Sequence, residues 1–428
     1  MKVALLNPPW RFDGSIYFGC REPHLPLELA SANVRLEQRG HQTLMLDGHL
    51  HSTTAADLAR QALAFRPDMI VVTTAPSYLF WRCAPPELTV PRELVRHVAG
   101  AGAMTVGIGP HGSATPRAAL AKLGVDVVLR GECDETVAML ADADAPDQVP
   151  GAAWRAGDAV RVNGPPQAAS FVDLPPLVWP NHWLGRHSHH HHRFDSAPEQ
   201  PGAEVEASRG CPYSCSFCAK IDFRDRYRRR ELDALLTEID GLIRQGVGYV
   251  YFIDEIFLPQ RPLLEALRVR PIAFGVQTRI DLWTPQMLDL LGEAGCVSME
   301  AGVESLTPEG RAALDKKCRL RTEELTALLV RARRTIPFVQ ANLIKSAGDD
   351  AAMIAEWRAA LERQGVWAND PVPLFPYPSS PDYRRLWGEP DDQAWERAHA
   401  HYLAQFDRLS DIQEARPLSL PELEGCAC

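Results

Sequence analysis

No apolar run in this chain approaches the roughly 20 residues that a membrane-spanning helix needs, so no membrane partner is expected. Positive charge is in deficit: 45 Lys and Arg stand against 55 Asp and Glu, a formal net charge of −10. That balance argues against nucleic acid, or an anionic membrane, held by bulk electrostatics. The first residues carry too short an apolar stretch for a secretory signal peptide. Ten cysteines without such a signal point to the reducing cytoplasm, where thiols and metal ligation are commoner than disulfides. Long repeats and low-complexity tracts are missing, apart from one histidine run. What remains is 428 residues, 46% hydrophobic and 23% charged, enough for two or three globular domains with sizeable cores.

Three cysteines concentrate in Ser208-Arg-Gly-Cys211-Pro-Tyr-Ser-Cys215-Ser-Phe-Cys218, spaced C-x3-C-x2-C behind an alternating run from Ala203 to Ala207. Thiolates at short fixed spacing suit an iron–sulfur cluster or zinc. A structural zinc site wants four ligands, usually as two spaced pairs, and no second C-x2-C exists in the chain. A cubane cluster held by three cysteines keeps one iron open for an outside ligand. A cluster that must touch a small molecule and pass it an electron needs that arrangement.

The stretch resembles the signature of the radical S-adenosylmethionine (radical SAM) superfamily. The resemblance implies a 4Fe–4S cluster on Cys211, Cys215 and Cys218, an open iron that chelates the amino and carboxylate groups of SAM, and reductive cleavage of a carbon–sulfur bond.

Upstream, residues 1 to about 145 alternate strands and helices. Strands are expected at Lys2 to Leu6, His41 to Asp47, Met69 to Thr74, Met104 to Gly109 and Val125 to Leu129. Helices are expected between them, including Pro116 to Leu123 with Thr115 as N-cap and Pro116 at the first helical position. Buried strands joined by helices make a doubly wound parallel sheet, whose ligands bind beyond the carboxyl ends of the strands. Those ends carry Thr74, the loop Gly109-Pro110-His111-Gly112, and Gly131-Glu132; glycines there allow close approach of a ligand.

This order, together with Asn7-Pro8-Pro9, the Gly-Pro-His loop and Arg130-Gly131-Glu132, is similar to cobalamin-binding radical SAM enzymes, in which a Rossmann-like cobalamin domain precedes the radical SAM domain. The likeness implies cobalamin contacts from Thr74, Gly109, Pro110, His111, Gly112, Gly131 and Glu132. Methionine-synthase-type domains place Asp-x-His-x-x-Gly after the first strand, and its histidine ligates cobalt from below. Here the first strand runs into Asn7-Pro8-Pro9-Trp10, while Asp47-Gly-His49 follows the second strand and its motif ends in Ser52. Cobalamin without a lower histidine ligand is therefore expected, and a domain that keeps the fold without cobalamin stays open.

Residues 146–200 read as a linker broken by Pro150, Gly151, Gly164-Pro165-Pro166 and Pro175-Pro176. They carry a run of histidines, His187 and His189 to His192, with two readings: a solvated loop, or contact with metal or substrate. Residues 201–385 read as about six βα units, fewer than the eight of a closed barrel, which fits the partial barrel of a radical SAM core. The fold class is therefore α/β, with a Rossmann-like cobalamin-type domain, a partial (β/α)6 radical SAM barrel and a helical C-terminal segment over residues 386–428.

In the barrel the resemblance places Phe217 near the SAM adenine and makes Asp254 and Glu255, at the end of the second strand, acceptors for the SAM ammonium. An acid beside an ammonium makes charge-assisted hydrogen bonds. Gln277 and Arg279 fall two apart on the third strand and share a face; Arg279 is the candidate for the SAM carboxylate or ribose. Ser298 and Glu300 share a face on the fourth, before Gly302-Val-Glu304-Ser, which resembles the family's Gly-Ile-Glu-Ser. Tyr213, Glu255 and Arg279 are the candidate catalytic side chains. Lys316 and Lys317 read as a solvated helix end, and a sixth strand is expected at Asp370 to Phe375. Helix 391–409, with Trp395, Ala398, Tyr402 and Phe406 on one stripe, is expected to pack on the barrel.

The chain closes on Cys426-Ala-Cys428: either unused thiols or ligands for a thiophilic substrate such as a soft metal or trivalent arsenic. The layout resembles hydroxyarsinothricin synthases, which move the 3-amino-3-carboxypropyl group of SAM onto arsenite. The expected function is alkyl transfer from SAM to a small molecule in specialised metabolism, such as antibiotic biosynthesis. The group is methyl relayed through cobalamin, or aminocarboxypropyl in the arsenite variant, and the electron comes from an external flavodoxin- or ferredoxin-type donor. Radical deoxygenation of a sugar-like substrate and a cobalamin or iron–sulfur sensor are the alternatives.

Overall fold

The architecture comes from a computed structural model, which describes the chain except residues 18–20, 78–82, 167, 169, 186–199, 221, 347, 407, 412–414 and 426–428. Two sheets organise it. The first has seven strands in the order β2-β1-β3-β4-β5-β6-β7. These are β1 (Lys2–Asn7), β2 (Gln42–Asp47), β3 (Met69–Thr73), β4 (Met104–Ile108), β5 (Val127–Leu129), β6 (Ala152–Ala156) and β7 (Ala159–Val162). The strands β1 to β5 pair in parallel. β3 is buried along its whole length, as expected of a strand covered by helices on both sides.

The hairpin β6–β7 extends this sheet antiparallel from β5, so the sheet continues into residues expected to be linker. Small residues and the exposed Arg155 and Arg161 dilute its alternation, and only Ala152 and Ala153 are buried. Gly157, at φ 61°, opens the two-residue turn, the left-handed conformation a tight hairpin requires.

The second sheet has six strands in the order β15-β14-β13-β12-β11-β8. They are β8 (Gly202–Val205), β11 (Tyr249–Phe252), β12 (Ala273–Arg279), β13 (Cys296–Glu304), β14 (Phe338–Leu343) and β15 (Trp367–Ala368). All pairs are parallel, and β8 and β15 do not pair, which leaves the barrel open. The sixth strand is thus Trp367–Ala368; the expected run from Asp370 supplies only an isolated bridge, Val372 to Ile344. Pro371 and Pro373 have no N–H to donate to a ladder. The end of the first expected strand separates as β9 (Ser208–Arg209), which pairs antiparallel with β10 (Arg228–Arg229).

The C-terminal helix Ala394–Ala404 buries Trp395, Ala398 and Tyr402. It does more than cover the barrel: the Trp395 ring stacks on His111 of the first domain, centroids 4.2 Å apart, and its Nε1–H donates to Thr115 Oγ1 at 3.1 Å. Thr115 consequently does not cap its helix as expected; its hydroxyl donates to the His111 carbonyl at 3.1 Å. Among the described residues no helix is long and apolar enough to cross a membrane.

Candidate functional site

The cysteine loop leaves β9 through Gly210. That residue sits at φ 79°, and a Cβ there would lie 2.2 Å from the Arg226 carbonyl oxygen, so only glycine passes. Three further ties fix the loop. Gly210 N–H donates to Glu255 Oε2 at 2.6 Å. Ser216 N–H donates to the Leu314 carbonyl at 2.9 Å, and Asp382 N–H donates to the Ser216 carbonyl at 2.9 Å. The thiols of Cys211, Cys215 and Cys218 are half-buried. Among the described residues, no three His, Cys, Asp or Glu side chains converge on a point that one metal ion could occupy. Cluster thiolates bind separate irons and need no such convergence. Burial pushes the Cys215 thiol up to about 11, against the pull of Lys316 and Arg279. A thiol so placed needs a bound metal or cluster to become a thiolate near neutral pH.

Arg279 lies over the Tyr213 ring, 4.2 Å from its centre, and forks onto Asp281 at 2.7 and 3.1 Å. Its Nη1 is buried without a partner, a donor left for a carboxylate or hydroxyl. Parallel register sets Gln277 beside Glu300, and Glu300 beside Gln340. The buried Oε1 atoms of Gln277 and Gln340 have no hydrogen-bond partner. Gln340 was not among the expected site residues; its signal was its parity with Asn342 on a strand that pairs with β13. Ser298 is buried one layer lower on the same face, and Phe217 is half-buried in the loop.

Asp254 and Glu255 hold the segment that leads into the cysteine loop. Both Asp254 oxygens are taken, one by Ala207 N–H at 2.9 Å and one by the Ser208 hydroxyl. Burial drives its carboxyl well above the ordinary value. Glu255 holds Gly210 and Arg224, the latter at 3.1 Å. These two acids therefore brace the cysteine loop.

Segments flanking the two sheets meet in a buried ion network. Arg224 reaches Glu206 at 2.6 Å, Glu255 at 3.1 Å and Glu132 at 3.4 Å. Arg209 holds Glu206 at 2.8 Å, Asp134 and the Ser31 hydroxyl. Arg228 holds Glu132 at 2.6 and 2.8 Å. Burial alone would raise the Glu132 carboxyl, but Arg228, Arg209 and Arg224 keep it below its ordinary value. Glu132 is thus ion-paired with Arg224 and Arg228.

The other expected contacts of the first domain divide. At Gly109 a Cβ would lie 2.2 Å from Thr74 Oγ1, at Gly112 2.3 Å from Val128, and at Gly131 2.7 Å from Pro166. These glycines accommodate the chain's own packing. Pro110 starts the short helix Pro110–Ala114. Thr74 Oγ1 and His111 Nδ1, at the carboxyl edge of the sheet, are buried without hydrogen-bond partners. Burial lowers His111 to about 3, so it is neutral. Asp47 accepts from Asn7 and from Leu50 N–H at 3.1 and 2.9 Å, a local turn that carries His49. The histidine run, Cys426 and Cys428 lie outside the described residues.

Lys316 overturns its reading as a solvated end: it is 1% exposed and donates to the Gly302 carbonyl at 3.1 Å and Glu304 Oε1 at 2.9 Å.

Residues 205–351 match the Radical SAM superfamily model. An uncharacterized methyltransferase of Pyrococcus horikoshii is 25% identical over 321 residues, covering 72% of this chain and 66% of that protein. A hopanoid C-3 methylase of Methylococcus capsulatus is 25% identical over 448 residues, covering 99% and 78%. Among solved structures, TsrM from Kitasatospora setae, a radical SAM methyltransferase with cobalamin and a 4Fe–4S cluster bound, superposes with a TM-score of 0.68 at 19% identity, covering 89% of this chain and 76% of that one. Residues 205–351 are a radical SAM domain. The chain as a whole has the fold of TsrM. It spans just under two thirds of the length of the Pyrococcus relative, 66%.

Proposed function

We propose that this protein is a radical SAM enzyme that transfers a SAM-derived alkyl group, by default methyl, to a small molecule. The observation that carries the reading is the cysteine loop itself: three thiols on a backbone fastened at Gly210 and Ser216, with the spare donor of Arg279 beside them. Cys211, Cys215 and Cys218 would hold a 4Fe–4S cluster, which when bound supplies single electrons to SAM. Arg279 Nη1 is suited to the SAM carboxylate, and Gln277, Ser298, Glu300 and Gln340, neighbours on adjoining strands, are suited to a polar substrate or the ribose. Tyr213 covers Arg279 and confines its guanidinium. The orphaned Thr74 Oγ1 and His111 Nδ1 fit the polar edge of a cobalamin, with no lower histidine ligand. The methyltransferase and methylase names of the relatives favour methyl transfer, and TsrM contains both cofactors.

The test is anaerobic reconstitution with iron and sulfide, then SAM and a one-electron reductant. 5′-Deoxyadenosine or S-adenosylhomocysteine supports the reading, and Cys215→Ala should abolish both. No SAM consumption by cluster-loaded wild type would sink it. The arsenite variant rests on Cys426 and Cys428; arsenite-dependent 5′-methylthioadenosine would favour it over methyl transfer. Product without group transfer would favour deoxygenation. A flavodoxin- or ferredoxin-type protein is the proposed electron donor.

A further inference from the structure

Left-handed backbone at non-glycine residues is uncommon and tends to gather at functional sites. Among the described residues it occurs at Ser52, Arg66, Glu304 (φ 71°), Asp315 (φ 49°) and Lys317 (φ 54°), and the last three lie around one buried side chain, Lys316. Glu304 sits at a break in the β13–β14 register. It turns its carboxylate back so that Lys316 Nζ lies 2.9 Å from Oε1 and 3.1 Å from the Gly302 carbonyl. Asp315 and Lys317 bend the chain on either side of the lysine. The same turn touches the cysteine loop directly, because Ser216 N–H, between Cys215 and Cys218, donates to the Leu314 carbonyl at 2.9 Å. The strained turn therefore carries a buried ammonium and is tied to the cysteine loop by a backbone hydrogen bond.

We propose that Lys316 is a positioning residue that raises the reduction potential of the cluster held by Cys211, Cys215 and Cys218. The inference rests on the cluster reading above. Reduction adds one electron, delivered by an outside one-electron reductant, and makes the cluster more negative by one charge. A fixed cation in a low-dielectric site stabilises the reduced form more than the oxidised one. Glu304 opposes that effect from 2.9 Å, and the backbone bond from Ser216 to Leu314 sets the turn that carries Lys316 against the cysteine loop.

The test is a redox titration of the full-length reconstituted protein without SAM, followed by electron paramagnetic resonance, with iron and sulfide per chain measured for every variant. Lys316→Met should lower the potential. The expected change is about tenfold in the reduced-to-oxidised ratio, about 59 mV for one electron. Lys316→Arg should restore most of it, and Glu304→Gln should shift it the other way. Fully loaded Lys316→Met and Glu304→Gln proteins that both titrate with wild type would overturn the proposal. If Lys316→Met does not fold, a Glu304→Gln potential that fails to rise overturns it alone. A wild type that takes up no cluster removes the functional reading and this inference together. A loaded wild type with unmoved variants removes only the inference.

Discussion

The guanidinium of Arg279 lies 4.2 Å from the centre of the Tyr213 ring, so a barrel strand and the cysteine loop are joined by a cation over an aromatic face. Such a contact holds a planar guanidinium better than an ammonium, and the fork onto Asp281 leaves Nη1 as the one arm without a partner.

Arg279→Lys should therefore weaken SAM binding although it keeps the charge. Losing a hydrogen bond to a charged group costs about 1.5–3 kcal/mol, roughly 10- to 100-fold in affinity. Equilibrium dialysis with SAM on cluster-loaded protein measures this; unchanged affinity would remove Arg279 from the SAM site.

Gly210→Ala would push a methyl group to 2.2 Å from the Arg226 carbonyl in a left-handed backbone. The loop must shift, breaking the Gly210 N–H to Glu255 bond at 2.6 Å. Iron per chain after reconstitution should drop well below wild type, whereas Gly241→Ala, on the mid-helix surface where no atom comes closer than 3.8 Å, should load normally.

Arg224→Met would leave Glu206 and Glu255 short of a cation while buried. Removing one partner from a buried ion network costs about 3–5 kcal/mol. An exposed pair such as Arg60–Asp57, with side chains 76% and 47% exposed, should contribute less than about 1 kcal/mol. Denaturant unfolding of both variants provides the comparison, and equal small losses would contradict the buried network.

Glu28 is buried in the first domain with the Ser77 hydroxyl at 3.3 Å, and burial raises its carboxyl from 4.5 to about 8. The folded protein thus keeps a proton that the unfolded chain releases near pH 4.5. Stability from this group is complete below pH 4.5 and is lost as pH rises toward 8. Glu28→Gln should match wild type near pH 4.5 and exceed it at pH 8 to 9 in denaturant midpoints. A wild-type-like fall with pH in the variant would show that another group carries the dependence.

Much of the fold was legible because its signals are local. β3 is a continuous apolar run, and the helix Pro116–Leu123 announces itself by its leading proline and trailing Gly124. The β6–β7 hairpin was not legible, since alternating small and charged residues resemble a linker. The sixth strand was misplaced because proline content does not register until hydrogen bonds are drawn. Within the site, the cysteines and the shared face of Gln277 and Arg279 follow from spacing alone. Gln340 and Lys316 do not, because their neighbours are set by parallel register and by a turn, not by sequence distance.

The sequence by itself determined the chemistry on offer: three thiols at C-x3-C-x2-C, acids and amides at the strand ends, and glycines where backbone must turn. Tertiary structure decided which of those groups remain open. It committed Asp254 and Glu255 to the loop, Glu132 to Arg228, and Lys316 to Glu304. The physical reason is that a buried polar group must find a partner, and partners lie far apart in sequence: Gly210 and Glu255 are separated by 45 residues, Glu132 and Arg228 by 96.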